Sequence, residues 1–169
     1  IDFRLSLWVA LGIPVSLAGS LIVAHFIGLT MNFFTLLGMI MIVGIIVDDG
    51  IVVGETVYER QMQGDSPLQA AIYGTSKVAW PIVAAVMTTI FAFMPLLFLT
   101  GEMKAMIRAI PIVVISALSV SLFEALVILP VHLRNINFTK EVSQNKIIKF
   151  FSRIRLFFNN GLQKLIEYV

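Results

Sequence analysis

Cysteine is absent from this 169-residue chain, and histidine occurs only twice. The first absence removes disulfides, thiol nucleophiles and Cys-ligated metals. His25 and His132 lie far apart in sequence and have no metal-ligand spacing, so neither a metal site nor a cofactor is expected. Charge is also scarce, at 13%, while 59% of the residues are hydrophobic. Soluble domains run at about 25% charged and about 45–50% apolar. The composition is that of a membrane protein rather than a nucleic-acid binder or a soluble enzyme. The sequence starts at Ile1 with no initiator Met and no signal-peptide pattern, and its first apolar run is too long for a signal h-region. It reads as an internal piece of a larger protein.

Four long apolar runs are present, at about 5–27, 33–53, 78–99 and 106–129. Each has roughly 20 residues or more, enough to cross a hydrocarbon core of about 30 Å as a helix. Backbone groups in lipid must all be paired internally, and the runs lack the alternation of barrel strands, so the expected class is all-α membrane. Residues 1–133 make a four-helix transmembrane segment, and 134–169 a basic tail. Gly28–Asn32 and Thr100–Ala105 read as short turns, and Glu55–Lys77 as a polar, partly helical linker. Gly12 with Ser16 on the first span, and Gly38 and Gly44 on the second, are small residues of the kind that let helix backbones approach. Pro14, Pro81, Pro95 and Pro111 are expected to kink or begin spans.

Alternating crossings put ten of the twelve Lys and Arg residues on the side of the N-terminus, the 55–77 linker and the tail. The positive-inside rule makes that side cytoplasmic. In the tail, Ile147, Phe151, Ile154, Phe158, Leu162, Leu165 and Val169 recur at three- and four-residue spacing, with Lys and Arg opposite. This pattern, over about 145–169, is that of an amphipathic helix lying in the membrane interface. A helix packed on a soluble partner domain is the alternative.

The second span reads GIIVDDGIVV from Gly44 to Val53. One Asp at the centre of a spanning helix costs about 2.5–3.5 kcal/mol on insertion scales, so two need water or a positive partner. Two close carboxylates in low dielectric resist being ionised together, and their protons come off in coupled steps. Asp48 and Asp49 are therefore candidate proton carriers, with protons as the coupling ion; a sodium site is the competing reading. Apart from Arg108 at the very start of the fourth, no Lys or Arg interrupts the four apolar runs, so a positive partner would sit on another helix. Glu124, in SLFEALVILP, is a possible second intramembrane acid, or else an interfacial residue near Pro130.

The stretch GIIVDDGIVVGETVYER resembles the fourth transmembrane helix of resistance–nodulation–division (RND) transporters, whose drug-efflux branch carries G-x-x-x-D-D-A-I-V-V-V-E-N. IPVSLAGSLIV is similar to the third helix, GLTMNFFTLLGMI to the turn into the fourth, FMPLLFLTGEM to the end of the fifth and SALSVSLFEALVILPVHL to the sixth. The tail resembles the surface helix joining the two membrane halves. Gly50, Gly54 and Thr56 depart from the usual Ala, Val and Asn, a change expected to loosen the helix after the acids. The resemblance implies a non-enzymatic, proton-driven antiporter of organic compounds in a bacterial inner membrane. In it, Asp48 and Asp49 take up and release protons opposite a Lys of the second half. It further implies a homotrimer with a periplasmic adaptor and outer-membrane channel. A metal-ion exporter of the same family, or a protein-translocation or sterol-sensing module on the same fold, are the alternatives.

Overall fold

The computed structural model describes residues 3–101 and 103–138. Ile1–Ile136 form one compact unit and Asn137–Val169 another, of which only Asn137 and Phe138 are described. The amphipathic tail helix expected at about 145–169 lies outside the described residues.

Every described secondary-structure element is helical. The first helix, α1, is Phe3–Phe26, and α2 is Phe33–Met62. The third span joins α3, Pro67–Phe93, to a 3₁₀ turn at Met94–Phe98. A short α4, Lys104–Ile107, precedes the fourth span, which runs through α5 (Ala109–Phe123), a π-helical turn (Glu124–Ile128) and α6 (Leu129–Leu133). The four helices Phe3–Phe26, Phe33–Met62, Pro67–Phe98 and Ala109–Leu133 are long and apolar enough to cross a membrane. This is an all-α, multi-pass membrane architecture.

The helix starts are written locally. Asn32 Oδ1 accepts from the N–H groups of Phe34 (2.9 Å) and Thr35 (3.1 Å), and Thr35 Oγ1 accepts from the Asn32 N–H at 2.8 Å. This reciprocal capping box satisfies donors that hydrocarbon would leave orphaned. Ser66 and Gln69 form a second box at α3, with Pro67 in the first turn, where its missing N–H costs nothing. Gly64, at φ 106°, makes the reversal between them. The polar linker expected over 55–77 is thus almost wholly helical, with only 63–66 between α2 and α3. Pro14 and Pro81 lie within α1 and α3.

Packing runs through small residues. On α1 the buried positions Gly12, Ser16, Ser20 and Ala24 fall on a four-residue repeat. Gly19 comes against Val120, and Gly38 of α2 against the backbone of Ile110. Gly74 of α3 lies against the backbone of Val57. Apolar helices gain nothing from mutual burial in lipid, so close backbone approach carries the association. Gly44 has no such contact among the described residues. It lies on the outward face of α2, with open space where its Cβ would be.

At one end of the bundle, buried Gln61 donates through Nε2 to the Ile136 carbonyl at 3.0 Å, tying α2 to the end of the fourth span. Nearby, Arg60 Nε lies 2.7 Å from Asp65 Oδ2, a contact of charge rather than an aligned hydrogen bond, and its guanidinium sits 5.5 Å from the Tyr73 ring. Much of the outer surface is apolar, including Ile40, Trp80 and Phe91, as a lipid solvent permits.

Gly74→Leu should destabilise the bundle by about 1–3 kcal/mol, because Val57 backbone blocks the added side chain. Gly44→Ala in the same chain should be neutral or stabilise by up to about 1 kcal/mol through helix propensity. Thermal unfolding in detergent measures both.

Candidate functional site

Asp48 and Asp49 sit well inside α2, fourteen and thirteen residues before its end at Met62, and the helix continues unbroken past them. Consecutive helical residues are about 100° apart, so the two carboxylates leave the helix in different directions. Asp48 is exposed, on a stripe with Met41, Gly44, Val52 and Glu55. Asp49 is half-buried, next to buried Gly50, and its Oδ2 is fully buried with no hydrogen-bond partner. Among the described residues neither acid forms an ion pair. One carboxylate faces outward and the other is pressed toward the bundle.

The glycines after the acids explain how α1 comes so close. A Cβ on Gly50 would stand 3.2 Å from Val9 Cγ1, and one on Gly54 would stand 2.6 Å from Leu5 Cδ1. Two of the three departures expected to loosen α2, Gly50 and Gly54, instead make the seat on which α1 rests. Sequence reasoning missed this because a glycine's contact is visible only once its partner helix is placed. The same contacts set the geometry: Val9 pairs with Gly50 and Leu5 with Gly54, so α1 and α2 run antiparallel. A cleft of about 210 Å³ lies between α1 and α2, lined by Leu5, Ser6, Val9, Ala10, Ile13, Val47, Ile51 and Glu55, and neither Asp48 nor Asp49 lines it.

Glu124 lies elsewhere than on the outward stripe of α2. It opens the π turn, whose wide bond runs from the Leu129 N–H to the Glu124 carbonyl. Pro130 follows at once and supplies no N–H, which slackens the ladder and lets it widen. Glu124 is only 7% exposed, and its carboxylate lies over Gly12 of α1, where a Cβ would come within 2.6 Å of Oε2. Two turns on, His132 stacks on Trp8 of α1 with ring centroids 3.9 Å apart. Glu124 is therefore in the α1 interface rather than at the chain's exposed end. Among the described residues no three His, Asp or Glu side chains converge as a metal site.

The AcrB/AcrD/AcrF family model matches residues 1–169, the entire chain. The chain belongs to the AcrB/AcrD/AcrF family. Membership accords with the RND resemblance carried by the Asp pair and its flanks. Multidrug resistance protein MdtC from Escherichia coli O7:K1 (strain IAI39 / ExPEC) is 27% identical over 160 residues, which is 95% of this chain and 16% of that relative. MdtC from Shigella flexneri gives the same identity and coverage. The chain thus spans about a sixth of the length of these relatives.

The absence of native cysteine allows a clean test of the two acid environments. In this chain, Asp48→Cys should react with a hydrophilic maleimide faster than Asp49→Cys. Equal rates would contradict the split exposure.

Proposed function

We propose that this chain is part of the membrane domain of a proton-driven exporter of organic compounds, with Asp48 and Asp49 as its proton-carrying pair. The observation that carries the reading is the pair itself: two adjacent carboxylates inside an apolar span, one open to the outer face and one held against the bundle without a partner. Unpaired charge in hydrocarbon is costly, so such a pair favours states in which protons or a cation offset it. Protonation neutralises the outward carboxylate and frees the α2 face to move against a neighbouring helix. Release restores the charge and its attraction for a cation. The alternation is the electrostatic half of a transport cycle, and its switching partner is a Lys on a helix of the other membrane half.

Family membership supports transport, and relatives named multidrug resistance proteins support organic substrates. Drug-binding surfaces belong to other parts of the full protein, which acts as a homotrimer with a periplasmic adaptor and an outer-membrane channel. The site is a bacterial inner membrane. The start of α1, the 63–66 turn and the 134–169 tail face the cytoplasm, following the Lys and Arg bias.

In the full transporter, Asp48→Asn and Asp49→Asn should each abolish substrate efflux from cells while leaving expression and membrane insertion at the parental level. Efflux retained by both variants would overturn the assignment.

A further inference from the structure

Among the described residues, Glu124 is the one buried carboxyl that the proposed pair does not use. Its side chain fills the space that Gly12 leaves on α1, at 7% exposure. Ser16, one turn along α1 from Gly12, is fully buried, and its Oγ has no hydrogen-bond partner. A buried carboxyl thus sits over the same α1 stripe that carries an orphan hydroxyl one turn along.

The depth of this stretch follows from two contacts. Gly12 meets Glu124, and Val9 meets Gly50, the neighbour of Asp49. Val9 and Gly12 are three residues apart, about 4.5 Å along the helix axis. Glu124 therefore lies within roughly one helical turn of the Asp pair in depth. The ionisable groups on the helices packed around it are Arg4 and His25 at the ends of α1; Asp48, Asp49, Glu55, Tyr58, Glu59 and Arg60 on α2; Tyr73 and Lys77 on α3; and His132 on α6. Among the described residues no cation is paired with Glu124. An isolated ionised carboxylate in such a place costs far more than a neutral acid, which needs only hydrogen-bond partners.

We propose that Glu124, set over Gly12 and one turn of α1 from Ser16, is a second proton-binding carboxyl of this membrane bundle, separate from Asp48 and Asp49. The π turn gives it the means. Widened helical turns recur at functional sites, and here one aims the acid at α1 rather than at the bundle's outer face. In this position the acid carries its proton as a neutral group while α1 and the fourth span are closed. Loss of the proton would leave an unpaired charge between them and would favour their separation.

The test is infrared difference spectroscopy of the purified full transporter, in the carboxyl C=O stretching region, in a background where Asp48 and Asp49 are both Asn. Because that background lacks the pair, the result is independent of their role. A protonated-carboxyl band should persist in it, disappear with Glu124→Gln, and return at a shifted frequency with Glu124→Asp. A band unchanged by Glu124→Gln, or no band in the background, would overturn the proposal. If Glu124→Gln gives no folded protein, Ser16→Ala decides: a shifted band supports the site, and an unmoved band refutes it.

Discussion

Hydrocarbon cannot repair an unpaired polar group, and that constraint orders everything in this bundle. It makes the four spans helical, since only a helix pairs its own backbone. Local capping boxes at Asn32 and Ser66 satisfy the first donors of α2 and α3. The same constraint explains why Gln61, buried among helix ends, finds the Ile136 carbonyl. Against that economy the carboxyls stand out. Asp49 has an oxygen buried without a partner, and Glu124 is enclosed by α1. Exceptions kept in so costly a place are where function is sought.

Small residues on α1 and α2 give those exceptions their setting. Gly50 and Gly54 let α1 rest on the helix that carries the aspartates, and Gly12 makes room for the glutamate on the other side of the same contact. One short segment of α1, from Leu5 to Ser16, therefore touches both acidic regions. A movement of α1 relative to either neighbour would alter both carboxyl environments together. Within this segment Trp8 stacks on His132 and ties α1 to the fourth span.

Much of this was legible in the chain. Unbroken apolar length, with scarce charge, specified four spanning helices, and the rarity of acids in such runs singled out Asp48, Asp49 and Glu124. The remainder depended on pair contacts that periodicity does not encode. Gly38 and Gly44 look alike in sequence, yet one meets the Ile110 backbone and the other faces open space, because six residues turn a helix by about 240°. The stretch after the acids looked loosened by glycine, whereas the partner helix fills that side. Polar composition over 55–77 suggested a long linker, but capping and Pro67 extend helices through most of it. Glu124 was ambiguous because a π turn rotates a side chain away from the face that a regular helix would give it.

The central claim is that the paired aspartates bind the transported protons. Proton counting on the purified full transporter, after a pH step in weakly buffered solution, addresses it most directly. The account predicts that replacing both aspartates with asparagine reduces proton uptake per transporter while the protein remains folded. Uptake identical to that of the parent would contradict it.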